Sequence, residues 1–177
     1  MKGNHFSYGA GRLALNALFT ALAYITLFLS AVLPSGRIGF AAAAGLFPAA
    51  AIISGGGLPA GCLCYAAIGI LALLLIPSKD SAVLFLLFFG LYPLLKCLVE
   101  RIKTRPVAWA CKLLICNAAL FVFWFLFRSA FLSQLPSEFE LPWIFFLAGN
   151  IAFVFYDVGF SGLISFYVRR IHNAVFR

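Results

Sequence analysis

The sequence predicts an all-α fold: a polytopic membrane protein built as a bundle of six transmembrane helices, with both termini cytoplasmic. Three observations predict it. The composition is 64% hydrophobic and 10% charged, where ordinary soluble domains carry about 25% charged residues. The apolar residues fall in runs of the length, roughly 20 residues, that a helix needs to cross the hydrocarbon core. Short segments rich in Pro, Gly, Ser and charge separate those runs. Residues 1–177 read as a single transmembrane domain. The net charge of +8 reports membrane topology in such a chain and implies no nucleic-acid partner.

Met1 to Gly11 form a polar leader with Lys2 and His5, followed by Arg12. The apolar run Leu13–Leu33 is 21 residues long, beyond the roughly 7–15 of a signal peptide, so it reads as a retained first span. Ala10, Ala14, Ala17 and Ala21 recur at three- and four-residue steps along it. Such small-residue faces let helices approach closely in membranes. Pro34-Ser35-Gly36-Arg37 makes a turn, and Ile38–Ser54, rich in Ala and Gly, forms a second span that Pro48 is expected to bend. Gly55-Gly56-Gly57 is the next break. The third span runs from Leu58 to Ile76, with Pro59 suited to its first turn. Pro77-Ser78-Lys79-Asp80 ends it, and Ser81 caps a fourth span that reaches about Ile102. After the basic turn Lys103-Thr104-Arg105-Pro106, a fifth span extends to about Leu132. A polar loop, Ser133–Leu141, precedes the sixth, from Pro142 to about Val168. The count falls to five if the second and third segments form one re-entrant element around the glycines. With the amino terminus inside, inner segments hold eight basic residues: Lys2, Arg12, Arg101, Lys103, Arg105, Arg169, Arg170 and Arg177. Outer segments hold Arg37, Lys79 and Arg128. The excess predicts cytoplasmic termini.

Polar residues inside the spans stand out, because a lysine at a helix centre costs roughly 2.5–3.5 kcal/mol on insertion scales. The fourth span carries Tyr92, Pro93 and Lys96, with Phe89, Tyr92, Lys96 and Glu100 along one face. The fifth carries Asn117, Trp124 and Arg128 on one stripe and Lys112 on another face. The sixth carries Asn150, Asp157, Ser161 and Ser165. Asp157 lies close to mid-membrane, where a carboxylate must be paired or protonated. Either Lys96 or Lys112 can be its counter-ion, and each lysine can instead snorkel to the inner surface. A structural ion pair is one reading. The other makes Lys96, Asn117, Asn150 and Asp157 parts of a ligand pocket, with Tyr92 and Trp124 as flat walls on which a ring stacks.

No catalytic set is visible. The two histidines lie in terminal segments, no Gly-rich loop is followed by Lys-Ser/Thr, and no metal-ligand spacing occurs. The five cysteines show neither zinc nor redox spacing. The chain therefore reads as no enzyme, with no metal and no cofactor of its own. No clear internal repeat is read in it.

The order of features resembles a known family: an Ala-rich first helix, the break Pro34-Ser35-Gly36-Arg37-Ile38, and an Ala- and Gly-rich second span running into Ser54-Gly55-Gly56. Nearly the whole chain, as a six-span protein with both ends inside, resembles the substrate-binding S component of bacterial energy-coupling-factor (ECF) vitamin transporters. The resemblance implies binding of a vitamin or related small molecule. It implies partners too: a transmembrane coupling protein and two cytoplasmic ATPases, which consume the ATP. It implies docking through the small face of the first helix, here Ala10, Ala14, Ala17 and Ala21. It implies a pocket near the outer ends of the last helices and the first and third outer loops, which brings in Arg37, Tyr92, Asn117, Trp124, Arg128 and Asn150. Lys96 and Asp157 lie deeper than such a pocket, and the first outer loop is short. Two other readings are a membrane scaffold of the rod-shape, cell-wall morphogenesis type and a stand-alone ion-coupled carrier with Asp157 as its proton site.

Overall fold

The computed structural model describes residues 4–33, 36–101, 104–131 and 141–166, leaving the side chains of residues 4–8, 55, 105 and 126–131 outside the described set. Among the described residues the protein is all-helical. Six helical segments are long and apolar enough to cross a membrane: Gly9–Val32, Arg37–Ser54, Gly57–Leu75, Lys79–Val99, Pro106–Phe125 and Pro142–Phe166. The second and third segments each qualify separately. The polar loop expected at Ser133–Leu141 and the basic carboxy-terminal residues Arg169, Arg170 and Arg177 lie outside the described residues, save Leu141. The chain divides into two compact units, Met1–Cys97 with Ile164–Arg177, and Leu98–Leu163.

The larger unit is organised on α1 (Asn4–Val32). Asn16, Ala23, Leu27 and Ser30 are buried along one face of it, at the three-, four- and seven-residue steps that a 3.6-residue turn brings into line. That face packs against α2 (Arg37–Ala44), α3 (Leu46–Ala51) and α4 (Gly57–Leu75). The core is made largely of small side chains, with Ala41, Ala44, Ala51, Cys64, Ala72 and Ala82 around Leu27, Ile68 and Phe85. Inside a bilayer, where helices gain nothing by hiding apolar surface from lipid, such close approach is what holds them together.

The second and fourth spans are each interrupted at a similar sequence, Gly-Leu-aromatic-Pro. Gly45-Leu46-Phe47-Pro48 separates α2 from α3, and Gly90-Leu91-Tyr92-Pro93 opens α6 (Leu91–Val99) after α5 (Lys79–Leu84). Each proline stands in the first turn of the helix it belongs to. Pro48, Pro59 and Pro93 are the third residues of α3, α4 and α6, Pro106 is the second of α7 (Arg105–Phe131), and Pro142 is the first of α8 (Pro142–Phe166). In a first turn the missing N–H would have had no intrahelical partner anyway. The interruptions fall on Gly45 and Gly90, three residues before Pro48 and Pro93, where a proline ring crowds the preceding turn and removes its hydrogen bond. The segments that precede them are also similar in sequence, Pro34-Ser35-Gly36-Arg37 and Pro77-Ser78-Lys79-Asp80, which makes a short local repeat of motifs. Its second copy is two residues longer between the Pro-Ser pair and the glycine, and there the helix widens into a π-helical turn at Phe85–Phe89. The Gly90 N–H donates to the Phe85 carbonyl at 2.7 Å, the five-residue reach that defines such a turn. The Tyr65 hydroxyl donates to the Leu86 carbonyl at 2.9 Å, satisfying an oxygen in the widened turn.

The glycine triplet also differs from expectation. Ile52–Gly56 continue the second span as a π-helical turn, and the chain leaves the helix at Gly57, with φ +64°. Lys79 holds the far end of α4 by donating to the Leu73 and Ile76 carbonyls at 2.6 and 3.0 Å, a basic side chain on the carbonyls of a helix terminus.

A Cβ at Gly45 would run into the backbone of Phe89, its carbonyl oxygen and carbon included. The two interruptions therefore touch, and only glycine lets them. Gly45→Ala should destabilise the protein by about 1–3 kcal/mol in chemical unfolding from detergent micelles. Gly39→Ala, where nothing lies within 4 Å, should be neutral or stabilising by up to about 1 kcal/mol.

Candidate functional site

The smaller unit is built on α7 and most of α8, which run antiparallel. Their contacts fix the direction, since residues later in α7 meet residues earlier in α8: Lys112 meets Asp157, Asn117 meets Asn150, Leu120 meets Gly149, and Trp124 meets Phe145. Lys112, Cys116, Leu120 and Phe123 form the buried stripe of α7, again at four- and three-residue steps. A Cβ at Gly149 would stand 2.8 Å from the Leu120 methyls, so this glycine lets α8 sit close.

Three polar or aromatic layers follow one another along the pair. The first is ionic. Lys112 Nζ lies 3.2 Å from Asp157 Oδ2 and 3.3 Å from Oδ1, and the two side chains are 9% and 5% exposed. Glu100 Oε1 is 3.4 Å from the same ammonium, and the Trp109 ring lies 5.5 Å away. One lysine thus serves a buried carboxylate and a half-exposed one. Lys112, one of the lysines offered by the sequence as partner for Asp157, stands in ion-pair range of it, so it is not merely snorkelling.

The second layer is a reciprocal amide pair. Asn117 Nδ2 donates to Asn150 Oδ1 and Asn150 Nδ2 to Asn117 Oδ1, both at 3.0 Å. Each amide also donates to a carbonyl one turn back, Leu113 and Phe146, at 2.8 Å. Every N–H of both side chains is thereby used, while each Oδ1 keeps acceptor capacity. The third layer is aromatic: Trp124 is 5.1 Å from Phe145, and Phe123 stacks on the same ring at 6.4 Å.

The other candidate residues belong to the larger unit. Arg37 does not stand alone, because Nη2 is 2.6 Å from Asp80 Oδ2. The two residues stand in the first turns of α2 and α5, and Ser30 ties the same place down by donating to the Arg37 carbonyl at 2.8 Å. Lys96 is buried, and its ammonium lies 5.6 Å from the centre of the Tyr92 ring, a cation–π arrangement one turn apart on α6. The side chain of Arg128 lies outside the described residues. Sequence reasoning missed Asp80, Glu100 as a partner of Lys112, and Phe145. The repeated Pro-Ser motifs were the available signal for Asp80. Among the described residues no group of three or more His, Cys, Asp or Glu side chains stands close enough to hold a metal ion.

No protein-family model, no curated protein and no solved structure matches this chain.

Removing one member of a buried ion pair strands the other, whereas replacing both with apolar groups is often harmless. Asp157→Leu and Lys112→Met should each cost about 3–5 kcal/mol of stability. The double variant should recover most of that loss in the same unfolding measurement. Equal and additive losses would show that the two groups are not coupled.

Proposed function

We propose that this chain is the substrate-binding subunit, the S component, of an ECF-type transporter in a bacterial cytoplasmic membrane. The observation that carries the reading is the outer face of α1. Ala10, Ala14, Ala17 and Ala21 are all exposed, while the opposite face of the same helix holds Asn16, Ala23, Leu27 and Ser30 in the core. The exposed alanines form a small-residue row, and a row of this kind suits a partner helix lying close along it. In this reading the partner is a transmembrane coupling protein carrying two cytoplasmic ATPases. The chain itself performs no chemistry. The eight-to-three excess of basic residues puts both termini on the cytoplasmic side.

The ligand is a vitamin or related small molecule with a flat ring and a polar edge. Within the smaller unit, Trp124 and Phe145 offer the ring wall. Asn117 and Asn150, whose oxygens accept more than they are given, offer the polar contacts. The Lys112–Asp157 pair serves as the strut that fixes the two helices around them, and the Arg37–Asp80 bridge joins α2 to α5 in the larger unit.

Two measurements test this. Native mass spectrometry of the gently purified protein should show a bound small molecule of vitamin size, and Asn117→Leu should lower its occupancy at least about tenfold. Co-purification from the native host should recover the coupling protein and ATPases with the wild type and lose them with Ala17→Trp, while the melting temperature of the variant stays within about 2 °C. A protein with no small molecule that co-purifies with cell-wall synthesis enzymes would replace this reading with a scaffold. One with neither ligand nor partners would leave an ion-coupled carrier.

A further inference from the structure

A second polar site lies in the larger unit, on the inward face of α1 near its start. A cleft of about 250 Å³ opens there between α1, the π-helical turn Ile52–Gly56 and the first turns of α4. Arg12, Asn16 and Ser54 supply its polar lining, and Leu13, Pro59 and Leu63 its apolar walls. Arg12, Leu13, Pro59 and Leu63 are exposed, so the cleft is open on that side. Its volume is below the roughly 300–1,000 Å³ of pockets for drug-sized ligands, which suits a small headgroup better than a whole cofactor.

The informative residue is Asn16, which is 8% exposed. Its Nδ2 donates to the Ala60 carbonyl at 3.2 Å, and that bond fixes which end of the amide is which. Its Oδ1 is buried, with no donor among the described residues. Buried acceptors are rarely left in that state without a reason. Ser54 does not serve it, because that hydroxyl donates to the Ala50 carbonyl at 2.6 Å. An N–H or O–H from beyond the described residues is what the site lacks, next to a guanidinium, a group that takes phosphate well.

Arg12 is the fourth residue of the first span, Gly9–Val32, at the depth of lipid headgroups. We propose that this cleft binds a phosphate ester that also carries N–H or O–H donors, supplied by the headgroup of a phospholipid such as phosphatidylethanolamine. The phosphate lies against Arg12. The headgroup donor enters the cleft and draws the Asn16 oxygen into a hydrogen bond. The acyl chains leave along exposed Leu13 and Leu63. This site is separate from the α1 alanine row, which lies on the other side of the helix, and it does not depend on the transport reading.

The donor requirement makes a sharp test, because phosphatidylcholine has the same phosphate and no N–H. The wild type in nanodiscs is offered phosphatidylethanolamine, its N-methyl and N,N-dimethyl forms, and phosphatidylcholine, and the lipid retained is counted by native mass spectrometry. Retention should persist while one N–H remains and fall about tenfold at phosphatidylcholine, the worth of one hydrogen bond to a buried group. Asn16→Leu should erase the difference between the two lipids, and Asn16→Asp, which keeps an acceptor, should preserve it. Arg12→Gln should weaken both lipids together. Soluble glycerophosphoethanolamine is added as a competitor. Displacement at millimolar concentration would show that the free ester also occupies the site, and no displacement that the lipid form alone does. Equal retention of phosphatidylethanolamine and phosphatidylcholine by the wild type would overturn the proposal, and that comparison needs no variant to fold.

Discussion

A bilayer offers no water to an unpaired polar group, and that constraint governs this protein at every level. The helix interruptions and most buried side-chain dipoles are answered from within the chain, the Asn16 oxygen being an exception. The interruptions at Gly45 and Gly90 illustrate how. Each is followed by a proline placed where a helix needs no N–H, so the chain breaks its helix without orphaning a donor. The widened turn before Gly90 would still leave a carbonyl poorly served, and Tyr65 reaches across to serve it. Because Gly45 packs directly on the Phe89 backbone, the irregular stretches of the second and fourth spans shelter one another from lipid.

The same constraint explains the side chains. Among the described residues, many polar side chains in the spans occur in partnered sets: Lys112 with Asp157 and Glu100, Asn117 with Asn150, Arg37 with Asp80, and Lys96 over Tyr92. Pairing of this kind is costly to break and cheap to keep. It positions helices more than it stabilises them, since apolar residues of similar volume would pack as well. What the pairs add is a defined depth and rotation for each helix.

Much of this was legible from the residues. Apolar runs of membrane length gave six spans, and the turn residues between them gave boundaries within a few positions, except that the first helix begins at Asn4, inside the segment read as a polar leader. Ala10, Ala14, Ala17 and Ala21 read correctly as one face because a helix has only one period. The depth of Asp157 demanded a cation, and the choice narrowed to Lys96 or Lys112. It could not narrow further, because the faces of two helices become related only through packing. Proline was informative, since the second and fourth spans are interrupted one turn before Pro48 and Pro93. What the residues alone did not show is that a glycine takes each break, so that the proline opens a new helix. Arg37 reads as a ligand-facing cation in the sequence because Asp80 is 43 residues away. The repeated Pro-Ser motifs that hold the two are too short to stand out against so much apolar sequence.

The ionic layer between α7 and α8 also bears on how the protein enters its membrane. Lys112 and Asp157 each lie in a segment that must leave the insertion machinery for lipid, and a lone charge near a helix centre adds roughly 2.5–3.5 kcal/mol to that step. The penalty falls away once the ammonium and the carboxylate meet. The seventh helix therefore gains by waiting at the protein-lined exit until the eighth has been made. The two would then enter the bilayer as one hairpin, with the charges already neutralised and the register already set by the amides above them.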